Sequence, residues 1–559
     1  MKNLILIFLF LIIGCTQTPY EKDKEKGILA NVLVPFANFY RTPPASDADG
    51  NATQSNANAI ALAKSLPLLD LSTDTAYDPS TSAGRLAIQA LDFSGGVITG
   101  VDMSTGYPKV TFYVTTKTHR LKGFGWTTKT DGSYNATTGA IQTPGATTII
   151  SNLTAVTNLQ FTFAKFVAGT NGSPDKWVSY LTTTIPTPNG TIGPSYTAFK
   201  RSTPGWQKNS TDQNGTIVDN GDGSYTYTFA RDITKSKDYI SSEYLTATNE
   251  VMTAVSANRQ SGTGDLTYNA NIPHRMAIGV GVGSIRGTST NNVNGSNQPS
   301  FSGGCSSQTT CSGTLVSTLN FTNGKTIIYD FIPATGQIKA AQKDIVRVDT
   351  CNRCHKDANA TTTSGITTRG LIFHGSGGRN DVTSCVTCHT DQTRGQSDLN
   401  DISVNGVYSG AAGTSPANYG GFVLDGYAVA DFPIMVHKFH MSSQLTKRSS
   451  STSTGYFVGG VTYQFPTKGA AFFTKADTKL CYNCHTTNKS AINEDNWKTK
   501  PSRIACGSCH DGIDWATGQM YKSVNTSNSD VTHGGGKQLD DSKCAGCHTV
   551  SDVIKKHGL

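Results

Sequence analysis

Charged side chains are scarce in this 559-residue chain: Lys, Arg, Asp and Glu together make up 15% of it. That shortage disfavours long solvent-exposed helices and coiled coils, which depend on charged residues at helical spacing. Histidine is almost missing from the first 350 positions, where only His119 and His274 occur. The longest N-terminal apolar run, Leu4 to Ile13, is too short to cross a bilayer. What is plentiful is Gly, 57 residues, with Ser, Thr and Asn between short apolar stretches, a usage that favours strands joined by turns. A formal charge of +8 would ordinarily raise nucleic acid as a partner, but it omits any cofactor that brings carboxylates of its own. Length predicts more than one domain.

Lys2, the apolar run, Gly14 and Cys15 read as an export signal. A small residue directly before a cysteine resembles the lipobox of bacterial lipoproteins, which makes residues 1–14 the signal and Cys15 the lipidated first residue of the mature protein. The alternative is an ordinary signal peptide that happens to contain a cysteine. Thr16, where Asp would favour inner-membrane retention, points to the outer membrane, with the periplasmic face left open beside the cell surface. Residues 15–85, with the charged run Glu21 to Lys26, are expected to form a tether and a poorly defined N-terminal region.

Thirteen cysteines in an exported chain would suggest disulfides, but ten of them fall into five copies of one pattern after residue 350. The copies are Cys351, Cys354 and His355; Cys385, Cys388 and His389; Cys481, Cys484 and His485; Cys506, Cys509 and His510; and Cys544, Cys547 and His548. Two thiols three positions apart reach the two vinyl groups of one porphyrin, and the adjoining His then lies beneath the iron as proximal ligand. A zinc knuckle or a thioredoxin-like pair also uses C-x-x-C, but neither explains a His after every pair.

The remaining histidines match this count. Beyond the five motif histidines, the chain after residue 350 holds His374, His437, His440, His533 and His557, one for each motif. The simplest account is a distal ligand at each iron, giving five covalently bound haem c groups with two imidazoles each. A solvent-exposed His is the bland alternative at any one position, His557 above all. His437 and His440, three residues apart, would share one face of a helix and could serve two neighbouring haems. Met435 and Met441 flank them as alternative ligands. With every axial position filled and no CxxCK copy, the pattern implies no catalytic residue. Residues 346–559 supply roughly 43 residues per motif, too few for a conventional side-chain core, so the porphyrins must furnish much of the buried apolar surface.

The front half, residues 86–345, reads as a β domain of sandwich or barrel type with long loops. Period-2 alternation marks Lys109 to Thr115, Leu159 to Lys165, Tyr225 to Phe229 and Thr326 to Phe331. The Gly-, Ser- and Asn-rich stretch from Asn258 to Ser312 is expected to include a long loop. Cys305 and Cys311 lack a following His, and outside the cytoplasm a disulfide is the default for such a pair, either as a loop clasp or as a redox-responsive switch.

Together these features resemble the OmcA/MtrC family of outer-membrane multihaem cytochromes. The resemblance runs through Phe161 to Tyr180, Ser224 to Phe229 and Pro273 to Val280 in the β part, Tyr329 to His355 at the junction, and Phe373 to His389, Met435 to His440 and Thr532 to His548 beyond it. It implies a split β-barrel domain followed by a pentahaem domain with little regular secondary structure and short helices. Typical members carry two of each domain, and this chain shows one haem set. The resemblance further implies an electron conduit at the outer membrane or cell surface. Other cytochromes or a porin-cytochrome complex would be partners, and ferric minerals or flavins acceptors. Two other readings stand beside it: a reductase with one open-coordinate haem, and a surface protein whose β domain binds a partner while the haems serve as wiring.

Overall fold

The computed structural model describes residues 49–71, 73–77, 87, 91, 95–123, 127–135, 141–150, 159–170, 172–184, 192–194, 197–198, 215–229, 231–237, 265–280, 284–285, 291–292, 300–301, 310–316, 319–320, 325–358, 361–363, 366–368, 381–392, 423–424, 427–428, 431–445, 456–458, 461–463, 465, 481–485, 491–511, 513, 515, 518 and 532–557. The signal segment, Cys15, His374 and Cys305 lie outside the described residues, as does the side chain of Cys311.

The strands that build the front half are, in chain order, β1 (Leu68–Asp70), β2 (Gly95–Asp102), β3 (Lys109–Thr115), β4 (Arg120–Lys122), β5 (Leu159–Val167), β6 (Lys176–Ser179), β7 (Thr197–Ala198), β8 (Thr216–Asp219), β9 (Ser224–Thr228), β10 (His274–Val280), β11 (Lys325–Ile332) and β12 (Gln337–Ile338). They make two six-stranded sheets, one in the order β1-β4-β3-β9-β8 with β2 also on β3, the other β7-β5-β10-β11-β12 with β6 on β5. Among the described residues neither sheet closes on itself, so the β half is two open sheets packed face to face, the sandwich-like form of the expectation, with no closed barrel. The Gly-rich stretch expected as a long loop carries β10 and part of a separate five-stranded sheet that includes Thr127–Asn135, Ile141–Ile150 and Thr310–Val316.

Alternation explains the packing. Val110, Phe112 and Val114 of β3 and Tyr225 and Tyr227 of β9 project between the sheets to meet Phe161 and Phe163 of β5 and Met276 and Ile278 of β10. Phe161 stacks on Tyr227 at 4.1 Å between centroids and meets Phe112 edge-on at 5.8 Å, the two arrangements aromatic quadrupoles favour. The other face of the first sheet is covered by α1 (Asp49–Ser65), whose Ala59, Ile60 and Ala63 follow helical spacing and pack on Val97 and Tyr113. Helix α1 and strand β1, which pairs in parallel with β4, come from the stretch expected to be a tether, and they belong to the sandwich. The small Ala side chains that make the segment look featureless let the helix lie close on the sheet.

The C-terminal region has short helices: α2 (Val348–Ala358), α3 (Val382–Cys385), α4 (Phe432–Met441), α5 (Asn496–Thr499), α6 (Arg503–Gly507), α7 (Cys544–Cys547) and α8 (Val550–His557). Their starts are locally encoded. Asp381 accepts from the Thr383 N–H ahead of α3, Ser502 caps Ala505 ahead of α6, and α4 opens with Pro433, which needs no donor there. This region covers the outer face of the second sheet, so every residue of β5 from Leu159 to Phe166 is buried, on both faces.

That contact is polar and paired. Buried Arg275 of β10 donates twice to Asp330 at 2.7 Å and once to the Thr383 carbonyl, with its guanidinium 4.2 Å from the Trp177 ring centroid. Thr162 meets Thr387 at 2.8 Å, and Gln392 brackets Ser179, accepting from its N–H and donating to its carbonyl. Phe166 and Trp177 pack against Val386, inside the second cysteine motif.

Candidate functional site

Each motif builds the same local turn. In the last four, the His N–H donates to the carbonyl of the first cysteine at 2.8 Å, which places both thiols and the imidazole on one short helical turn. The first motif lies within α2. None of the ten motif cysteines forms a disulfide. Burial pushes several of their thiols up, Cys351 and Cys509 to about 12 and Cys481 and Cys544 to about 11, the opposite of the lowered values a reactive dithiol needs. Among the described residues, no group of three or more His, Cys, Asp or Glu is placed to hold a metal ion.

What the fold gathers instead is pairs of imidazoles. Ring centroids of His355 and His440 lie 6.1 Å apart, of His437 and His485 6.2 Å, of His510 and His557 5.9 Å, and of His533 and His548 6.2 Å. Each pair joins one motif His to one of the remaining histidines. Metal–imidazole bonds are about 2 Å and a ring nitrogen sits about 1 Å from its centroid, so two imidazoles on one metal place their centroids roughly 6 Å apart. The separation is too long for a hydrogen bond and suits a single metal atom between the rings. His389 remains for His374, which lies outside the described residues.

Helix α4 supplies two of these rings to two different motifs, His437 to the third and His440 to the first. The Nδ1 of His440 faces the Val436 carbonyl at 2.8 Å, and that of His533 faces the Gly536 carbonyl at 3.1 Å. A donor at Nδ1 leaves Nε2 with its lone pair directed at the partner ring. Burial lowers the pKa of His437 to about 4 and of His485 to about 3, so both are neutral imidazoles, the form that binds a metal.

All ten motif cysteines and nine of the ten histidines after residue 350 line one continuous cavity of about 3060 Å³. A single small-molecule site occupies about 300–1,000 Å³, so this cavity suits several large flat groups side by side. The indole N–H groups of Trp177 and Trp497 are buried without a partner among the described residues, and both rings border the cavity, where they suit the carboxylates of a bound porphyrin. Lys176, Lys343, Asp391 and Asp431 also border it beside the second motif, and burial lifts the Asp431 carboxyl to about 7 against the pull of Lys343. The donor set and the space therefore fit haem. Sequence reasoning missed Trp177 and Arg275, because alternation along a strand gives no sign that its polar face will be covered, and Lys343, which lies in the turn region between β12 and α2.

Repeated C-x-x-C-H turns, paired imidazoles and a shared cavity define a multihaem c-type cytochrome. Residues 343–558 match the family described as outer membrane cytochrome MtrC/MtrF-like, domains II/IV. A multihaem cytochrome MtrC from Shewanella baltica (strain OS185) is 23% identical over 229 residues, which is 41% of this chain and 22% of that protein. Crystal structures of MtrC from Shewanella baltica OS185 and of the outer membrane decahaem cytochrome OmcA, both 17% identical, align over 83% and 82% of this chain and 44% and 49% of theirs, with TM-scores of 0.37 and 0.39. The chain thus spans less than half the length of the relatives it matches. No helix among the described residues is long and apolar enough to cross a membrane.

Proposed function

We propose that the chain is an electron-transfer conduit with five bis-imidazole haems, acting at the outer membrane or cell surface. The observation that carries this reading is the set of four His pairs, spaced for one metal each, around a single cavity. Haem c, when bound, supplies reversible one-electron carriage at its iron. The chain's own part is to tether each porphyrin through two cysteines, hold one imidazole on each side of it, and keep the sites contiguous. His355 works with His440, His389 with His374, His485 with His437, His510 with His557 and His548 with His533. Filled axial positions shut out small ligands, so reduction of an acceptor proceeds by outer-sphere transfer at an exposed edge. The family supports other cytochromes or a porin-cytochrome complex as donors, and ferric minerals, flavins or partner cytochromes as acceptors. Lipidation at Cys15 after a signal of residues 1–14, a Cys305–Cys311 disulfide and a domain limit near residue 345 complete the proposal.

The test is spectroscopic. Pyridine haemochrome should count five haems per chain, and carbon monoxide should leave the spectrum of the fully reduced protein unchanged. A substoichiometric fraction that binds carbon monoxide would identify an open iron and put the reductase reading first.

A further inference from the structure

The hairpin turn between β5 and β6 reaches two motifs that lie far apart in the sequence. At one end, Lys176 pairs with Asp391 at 2.9 Å, two residues past His389, while Lys343 donates to the Asp175 carbonyl. At the other end, the Gly172 carbonyl accepts the Asp541 N–H at 2.9 Å, three residues before Cys544. Asp541 in turn accepts from the backbone N–H and the Nε of Arg503, at the start of the fourth motif's helix. The turn is itself fixed. Gly169 N–H donates to the Asp175 carboxylate at 2.7 Å and Ser173 N–H to the Thr170 carbonyl at 2.9 Å. Gly172 has φ +78, and a Cβ there would meet the Ser542 nitrogen at 2.7 Å and the Asp540 carboxylate at 2.8 Å. Only glycine meets both demands, the left-handed backbone and the close approach.

Resting on the haem assignment above, we propose that this turn is a positioning element: the β sandwich sets where the fifth haem sits relative to the second and fourth, with Gly172 as the seat. The fifth motif needs such a seat because its own surroundings are thin. Cys547 and His548 are exposed, and α8 buries no residue. Electron transfer falls steeply with distance, so a segment held by few contacts requires an outside reference to keep its spacing.

The test compares Gly172→Ala with Gly221→Ala. Gly221 has φ +85, and a Cβ added to it would meet nothing within 4 Å, so it carries the same backbone cost without the contact. His533→Met, which changes one axial ligand of the fifth haem, marks that haem's component in a potentiometric titration and in the electron paramagnetic resonance of the oxidised protein. Expected for Gly172→Ala are a shift of the marked component alone and roughly tenfold faster amide exchange over residues 541–548, tenfold being about 1.4 kcal/mol of local opening. Loss of the fifth haem alone, with four retained, counts the same way. Gly221→Ala should leave both readouts at wild-type values, and equal behaviour of the two glycine variants overturns the proposal. If His533→Met moves no single component, the ligation assignment fails, and exchange over 541–548 still decides whether the turn holds the segment. Should Gly172→Ala not accumulate, the wild type decides: the Asp541 and Gly169 amides should exchange as one unit, and independent exchange defeats the idea.

Discussion

The two halves of this molecule solve the burial problem in different ways. In the front half, side chains from two sheets fill the space between them, with Phe112, Phe161, Phe163, Tyr225 and Tyr227 all fully buried. In the C-terminal half, the described residues that are both buried and apolar are few, Val382, Ile434, Leu445, Ala491 and Ile513, and only Val382 and Ile513 of these line the cavity of about 3060 Å³. One half carries its core in its sequence. On the proposed haem assignment, the other would draw much of its core from the prosthetic groups, as small metal-dependent domains do from a structural metal.

The largest expected effect separates the halves outright. When the full chain is made without haem attachment, residues 343–558 should lose protection while the sandwich persists, leaving a protease-resistant fragment that ends near residue 340. Persistent protection of the C-terminal half in the haem-free chain would remove the contrast. Next in size is Arg275→Met. It leaves Asp330 as an unpaired buried carboxylate and breaks the link to Thr383, so the denaturation midpoint should report a loss of about 3–5 kcal/mol, with effects in both halves. A loss confined to the β signal would show that the contact between the halves is passive.

The smallest effect belongs to the sandwich alone. Buried His274 accepts from the Tyr180 hydroxyl at Nε2, 3.0 Å away, while its Nδ1 faces the Ile272 carbonyl, and burial lowers its pKa to about 4. The folded protein therefore binds fewer protons here than the unfolded one. This contribution is full above the unfolded value of about 6.5 and is lost as pH falls towards 4, amounting to about 2–3 kcal/mol. Denaturation midpoints at pH 7 and pH 4.5 should differ in the wild type and differ less in His274→Gln. An unchanged difference would assign the pH response to the haem half.

The contrast also explains which features are legible in the sequence. The C-x-x-C-H turns are local, and each motif carries its whole instruction within five residues. Strand alternation is legible for β3, β5 and β9, because neighbours on one strand reveal its faces. Pairing is not. The register of β10, with His274 opposite Phe331 on one side and Lys165 on the other, joins residues far apart in the chain, and nothing local specifies it. The polar face of β5, Gln160 and Thr162, has the pattern of a wetted surface and is buried because another part of the chain covers it. Helix α1 has the composition of a tether because alanines bury little area each, and their value depends on the sheet they meet. The division of the spare histidines among motifs likewise depends on the fold, since His437 and His440 are neighbours in sequence and serve different partners.

That division on α4 has a consequence in time. A chain exported N-terminus first presents His355 about 85 residues before His440, whereas His437 precedes the third motif. On the proposed pairing, the first haem waits with one axial position open during maturation, while the third finds its second ligand already delivered. On that pairing each protein molecule would pass through a short-lived stage in which the first site is open to gases or peroxide, and the arrival of one ten-residue helix would end that stage while bringing the third motif its ligand in advance.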